Sequence, residues 1–303
     1  LGEITINGVN ISIAGSEIYR NSIPMTIDNI RAGQIVSVET RSFNSKKGKY
    51  AALKIEIEDQ LKGPIESIDL NASTITILAQ TVHITSGTSF TQKSLKTLKV
   101  NYYLAVFAFR NDAGVLEATL IEIIREDFQA NKDTVKIAGE VLEVNVDSGN
   151  IVVEGVEIQL DVEEVKDIKV GDALSLNGLE VSEGGANILT TSATDTTIVS
   201  EVKSYDVDRE VVLEGLPQKI VSRNQFTLNG YQIMVPIELM DAENIESVEN
   251  RKLIVSGKFV GEIEVLADSL RVEQIKDFEY RGLLKSTGQE NIISIFDKQI
   301  EIN

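Results

Sequence analysis

The stretch GPIESIDLNASTITILAQTVHI, residues 63–84, is where the fold can be read most directly. Gly63 opens it, and apolar Ile65 and Ile68 stand beside polar Glu66 and Ser67. Thr74–Leu78 alternates threonine with isoleucine, the period of a strand with one buried face. Asn71, Ala72 and Ser73 suit the turn between the two strands. Thr81–Thr85 alternates again, with Val82 and Ile84 on one side and His83 on the other. Further on, Ser94–Lys99 places Leu95 and Leu98 three apart, enough for one or two helical turns. Tyr102–Phe109 is the most apolar strand and Ala118–Ile124 the last, joined by a loop at Asn111, Asp112, Ala113 and Gly114. Strand, strand, strand, short helix, strand, strand is the order of an OB-type five-stranded barrel. So short a sheet cannot hide an apolar face without a second layer, and curling on itself supplies one. A small open sandwich would give the same order.

The outline recurs on both sides. Residues 1–59 read as the same module without its first strand: a hairpin through Asn7 and Gly8, a helical or irregular patch at Ile23–Ile30, a strand after Gly33, a basic tip at Lys46, Lys47 and Lys49, and a closing strand at Tyr50–Ile57. Residues 60–126 are the unit just described, and polar, unpatterned Asp127–Thr134 reads as a linker. Residues 127–199 repeat the unit with an acidic helical patch at Val162–Ile168. Residues 200–276 repeat it with longer connections, an Asn229–Gly230 turn and the clearest helix, Pro236–Val248. Residues 277–303 start a fifth copy at Gly282. The opening glycines, Gly63, Gly139, Gly215 and Gly282, are 76, 76 and 67 residues apart. That is the length of a small domain rather than of a solenoid turn. The expected fold is therefore all-β: tandem five-stranded OB-like barrels, each curling into its own sheet, with one short helix between strands three and four. A chain entering part-way through a module is expected to be a fragment or a processed form.

Cysteine is absent, which excludes disulfides, a thiol nucleophile and cysteine-ligated metal centres. No run approaches the ~20 apolar residues of a membrane-spanning helix. The net charge of −18 is uneven: residues 127–199 hold 4 basic and 15 acidic side chains, a net of −11. Such a surface repels phosphate backbones, so nucleic acid is an unfavoured partner.

The opening glycine, the strand–turn–strand pair, the Val-x-Ile or Ile-x-Ile third strand and the Gly-x-x-Val-x-Val fourth strand together form a pattern. An ending such as Ala118–Ile121 completes it. Ala32–Gly33 and Val170–Gly171 fit the fourth-strand glycine, whereas Lys99–Asn101 and Asn250–Lys252 lack it. The pattern resembles a bacterial family of domains of unknown function that occur as tandem small barrels in exported proteins. The resemblance implies a periplasmic or extracellular location, reached in some members through a lipid anchor, and a binding or structural role without catalytic residues.

Individual side chains add little chemistry. His83 is the one histidine, without a second imidazole for a triad or metal site, and reads as an ordinary surface residue. Asp206, Asp208 and Glu210 alternate as calcium ligands could, but without an EF-hand pattern. Asp161, Glu163, Glu164 and Asp167 read as a solvated helix face, and the lysine tip as a solvated turn. Tyr102, Tyr103, Phe107 and Phe109 gather on one strand as candidates for stacking on a sugar or base, with core packing as the plainer use. No catalytic, cofactor or metal residue is assigned. The expected function is a non-enzymatic binding or spacer protein of a bacterial envelope, acting on an envelope protein or glycan. Single-stranded nucleic-acid or oligosaccharide binding, a glycan hydrolase and calcium-dependent adhesion are the alternatives.

Overall fold

A computed structural model describes residues 2–6, 9–44, 49–111, 113–130, 132–181, 188–191, 197–200, 204–242, 247–249, 251–272, 284–286, 292–295 and 298–301. Contacts divide the chain into two units, Leu1–Val272 and Glu273–Asn303. The protein is all-β, as the alternation requires, and its helices are short. No helix among the described residues is long and apolar enough to cross a membrane.

The first segment contains β1 (Glu3–Ile6), β2 (Val9–Ser12), β3 (Glu17–Arg20), β4 (Ile23–Pro24), β5 (Val36–Asn44) and β6 (Lys49–Ile57). β1 pairs β2, and β6 lies parallel to β2 and β3 and antiparallel to β5. The second contains β7 (Leu61–Asp69), β8 (Thr74–Ile77), β9 (Gln80–His83), β10 (Ser89–Phe90), β11 (Tyr103–Arg110) and β12 (Leu116–Arg125). Here the pairings close on themselves: β7 with β8, β8 with β9, β9 parallel to β12, β12 with β11, and β11 back to β7.

The third segment repeats that circuit with β13 (Val135–Asn145), β14 (Asn150–Val153), β15 (Val156–Gln159), β16 (Ala173–Val181), β17 (Ile188–Thr191) and β18 (Thr197–Ser200). β17 is parallel to β15, and β16 returns to β13. In the fourth, β19 (Glu210–Gly215) and β20 (Gln218–Ser222) share the role of first strand. They flank β21 (Gln225–Leu228), β22 (Tyr231–Met234), β23 (Leu253–Phe259) and β24 (Glu264–Val272) in the order β19–β23–β24–β22–β21–β20. The unit 273–303 holds an antiparallel ladder of β25 (Leu284–Ser286), β26 (Ile292–Ile295) and β27 (Lys298–Glu301).

Helical patches sit where the leucine and valine spacing placed them, but are shorter. They are 3-10 turns at Ile27–Asn29 and Leu95–Thr97, α1 at Val162–Val165 and α2 at Ile237–Ala242. The Asn7–Gly8 turn, the Lys46–Lys47 tip and Gly282 fall outside the described residues.

The recurring opening glycine has a steric cause. Strands two and three of each circuit turn through two residues of positive φ: Leu78 and Ala79, Glu154 and Gly155, Asn229 and Gly230. That is the turn whose twist suits a two-residue hairpin. The first of each pair folds its side chain over the opening glycine. A Cβ at Gly63 would meet Ile77 Cγ2 at 3.1 Å and Leu78 Cγ at 3.2 Å, and one at Gly215 would meet Asn229 Oδ1 at 2.6 Å. At Gly139 it would overlap the stem of Glu154. The fourth-strand glycine also has a reason. Gly33 and Gly171 have φ of +90° and +92°, and in the second segment Asn101 takes the same turn at +72°. Asparagine tolerates this conformation better than most residues, so the missing glycine leaves the circuit intact.

Two expectations are corrected. The second and third segments do not form separate sheets, because Leu61 and Lys62 of β7 pair with Ile137 and Lys136 of β13. This joins them into one 12-stranded sheet. The first strands of both segments run past their own hairpins, and their unpaired backbone groups satisfy each other. One apolar core, from Leu61 through Leu104 and Ile137 to Leu179, runs through both. Nor is 127–134 a free linker. Phe128 packs against Tyr103 with ring centroids 5.3 Å apart, and Asp133 accepts from the Gln129 amide and pairs with Arg125.

Candidate functional site: a buried charge cluster where three segments meet

Both faces of β11 are covered. Leu104, Val106 and Ala108 point into the core of their own segment. Tyr103, Ala105 and Phe107 are buried on the other side, at 5%, 0% and 0% exposure. Phe107 and Leu120 complete the core of the first segment with Ile11, Ile18, Ile55 and Ile57. Thr119 Oγ1 donates to Gly33 O at 2.7 Å beside them. Phe109 lies under Lys252, whose Nζ is 5.6 Å from the ring centre, and Gln218 Nε2 donates to Arg110 O at 2.9 Å. The first and fourth segments thus dock on the outer face of this strand.

The four aromatic residues singled out in the sequence are therefore occupied by protein contacts. Tyr102 lies in the core, with Lys93 Nζ 2.9 Å from its hydroxyl. Tyr103 has Phe128 and Arg125 against its ring and donates its hydroxyl to Thr134 O at 2.6 Å. Phe107 carries the Arg20 guanidinium 5.0 Å from its ring centre. Only Phe109 keeps a partly open ring.

Among the described residues the most fully buried charged side chain is Asp59, in the link between β6 and β7, with a side chain 0% exposed. Its Oδ2 accepts from Arg20 of β3 at 3.1 Å and its Oδ1 from Lys136 of β13 at 3.0 Å. Arg20 also binds Glu122 of β12 at 2.6 Å, and Lys136 donates to Asn21 Oδ1 at 2.8 Å. Lys62 completes the cluster by donating to Thr134 Oγ1 at 3.4 Å and Asn177 Oδ1 at 3.1 Å. The backbone is clamped at the same place: the Gln60 amide donates to Val106 O at 2.9 Å and the Ala138 amide to Gln60 O at 3.0 Å. One carboxylate thereby ties the first segment to the third, and Arg20 carries the link on to Glu122 of the second.

Burial alone would raise the Asp59 carboxyl pKa, but Lys136 and Arg20 outweigh it and hold the group below the ordinary carboxylate range. Burial opposes the charge on Arg20, but Asp59 and Glu122 raise its pKa. Lys62 is shifted down, first by burial and then by Lys136 and Arg20, with Asp59 opposing. Burial, with the charge of Asp133 added, pushes the Tyr103 phenol up.

A second junction lies across the β7–β13 seam. Arg110 donates to Gln80 Oε1 at 3.0 Å, Gly114 O at 2.7 Å and Ala138 O at 3.1 Å, and pairs with Glu154 at 3.3 Å. Gln80 donates to Glu154 O at 2.7 Å, and Glu154 Oε1 accepts from the Glu140 amide at 2.8 Å.

The remaining sequence candidates stand apart. His83 is half-buried on β9. Asp206 and Asp208 lie in the turn ahead of β19 rather than along a strand, and the Asp208 amide is spent on Phe259 O at 2.8 Å. Glu164 caps α1 through the Asp161 amide at 3.1 Å, and Glu163 pairs with Lys166 at 2.6 Å. No group of three histidine, aspartate or glutamate side chains disposed to hold a metal occurs among the described residues.

Residues 62–122 match a family described as a domain of unknown function (DUF5666). That span is the second segment, from β7 nearly to the end of β12. It includes Gly63, the αL Asn101 and the whole of β11, and it stops short of Arg125 and the 127–134 connection. A search of curated proteins finds no match for the chain.

Proposed function

We propose that this chain is a non-enzymatic spacer of a bacterial envelope, built of OB-like barrels fastened into a stiff array. The junction at Asp59 carries the reading. A buried carboxylate at the end of the first segment bonds Lys136 of the third, and through Arg20 it reaches Glu122 of the second, so the cluster fixes how the three are arranged. The circuit of pairings, strand one to two to three to five to four and back, is the connectivity of an OB-like barrel and supports the module assignment. Location outside the cytoplasm rests on the family resemblance. The partner is an envelope protein or glycan that uses the array for reach. Oligonucleotide binding is the weaker reading, because the third segment is strongly acidic and β11 spends its aromatic residues on protein contacts.

Backbone 15N relaxation tests the stiffness. Residues 9–44, 61–125 and 135–179 are expected to share one rotational correlation time. Separate, shorter times for the first and third segments would overturn the spacer reading.

A further inference from the structure

The Asp59 cluster brings an amine, a carboxylate and a carboxamide together under cover. Lys136 Nζ is 2.8 Å from Asn21 Oδ1 and 3.0 Å from Asp59 Oδ1. Lys136 and Asp59 are 4% and 1% exposed, so little water competes for either. The amine and the carboxamide are 115 residues apart in the chain, on different segments.

We propose that Lys136 and Asn21 form an isopeptide bond, covalently tying the first segment to the third. The Lys136 ammonium gives one proton to Asp59, and the freed amine attacks Asn21 Cγ. The Nζ–Cγ bond forms, the Cγ–Nδ2 bond breaks, and the former amide nitrogen departs as ammonia, taking the shuttled protons with it as ammonium. Charge and atoms balance without an oxidant or cofactor. Folding supplies the proximity that a solution reaction lacks, and Asp59 is placed to move the proton between entering and leaving nitrogen.

Arg20 sets the pace. By holding Asp59 anionic it resists the first proton transfer, so the bond forms slowly after folding. Replacing Arg20 with a neutral donor frees Asp59 to act as a base. A second pair provides an internal comparison: Lys62 Nζ lies 3.1 Å from Asn177 Oδ1, but its hydrogen bonds go to neutral oxygens. Lacking a bound carboxylate to carry the proton, it stays unlinked.

Purified, folded protein incubated at about pH 8, where exposed carboxyls are ionised, is followed by intact mass and peptide mapping. The expected result is a growing population lighter by one ammonia, giving a branched peptide that joins Lys136 to Asn21. It accumulates several-fold faster in Arg20→Gln and is absent from Lys136→Arg, which keeps the charge but cannot be acylated. An unchanged mass in both the parent and Arg20→Gln overturns the proposal. So does ammonia loss that maps to a succinimide at Asn21 without a branch, or to Lys62 and Asn177.

Discussion

Replacing Asp59 with leucine tests the junction most sharply. Leucine fills much of the same space, but leaves Lys136 at 4% exposure with only the Asn21 carboxamide against its charge. Arg20 retains Glu122 at 2.6 Å, so the loss falls mainly on Lys136. Removing one partner of a buried pair costs about 3–5 kcal/mol, because the other charge is left uncompensated. For a cooperative unit of this size that lowers Tm by roughly 6–20 °C. Freshly purified protein is compared by urea melts read by far-UV circular dichroism, since tryptophan is absent. Adding Lys136→Met removes the stranded charge and should bring stability back to within ~2 kcal/mol of the parent. The difference between parent and Asp59→Leu should also depend on pH. The folded-state pKa of Asp59 lies below its ordinary 3.8, so its contribution is complete above about pH 4 and is lost as pH falls through the lower folded value. A loss under ~1 kcal/mol for Asp59→Leu, or a double variant no more stable than the single, refutes the reasoning.

Other outcomes follow from the same contacts. Gly139→Ala sets a Cβ against the Glu154 stem, which cannot retreat without dropping Arg110 and the Glu140 amide. Urea melts should show a loss of about 1–3 kcal/mol. Phe107→Ala empties a fully buried site between the first and second segments. It should cost about 3–5 kcal/mol and speed proteolysis within residues 9–44 relative to 61–125. Asn101→Val puts a β-branched residue at a φ of +72° and removes the 2.9 Å bond to Asp127. A loss of at least ~1–2 kcal/mol is expected, and thermal melts measure it. Because the Tyr103 phenol is shifted up from 10.0 in the folded state, its contribution is full below about pH 10 and is lost as pH rises above it. Tyr103→Phe should be the less stable protein at neutral pH, without its 2.6 Å bond to Thr134, and should lose less on going to alkaline pH.

Much of the fold lay open in the sequence because its signals are local. Threonine–isoleucine alternation at 74–77 marks a strand whatever surrounds it, and the two-residue turns recur beside their glycines. The glycine at 63, 139 and 215 was visible as a repeat, but its cause was not, because the side chain that covers it comes from the next hairpin. The aromatic residues of β11 carried the signal of core packing, the plainer of their two readings. Residues 103–109 are apolar at both parities, which marks a strand buried on both faces rather than one offering rings to solvent. Asp59 gave no signal. Its partners lie 39 and 77 residues away, and nothing distinguishes it locally from Asp69 or Asp127. The β7–β13 seam was hidden for the same reason, since a two-residue pairing between distant strands has no periodicity of its own.

Amide hydrogen exchange at the two backbone clamps tests most directly whether the segments form one locked body. The Gln60 and Ala138 amides, bonded to Val106 O and Gln60 O, should exchange as slowly as the amides of Val106 and Ile137 in the core, with the free energy of global unfolding. Exchange at both that outpaces the core by several orders of magnitude would mean that residues 58–62 and 133–138 open as hinges, and that the segments are not locked into one body.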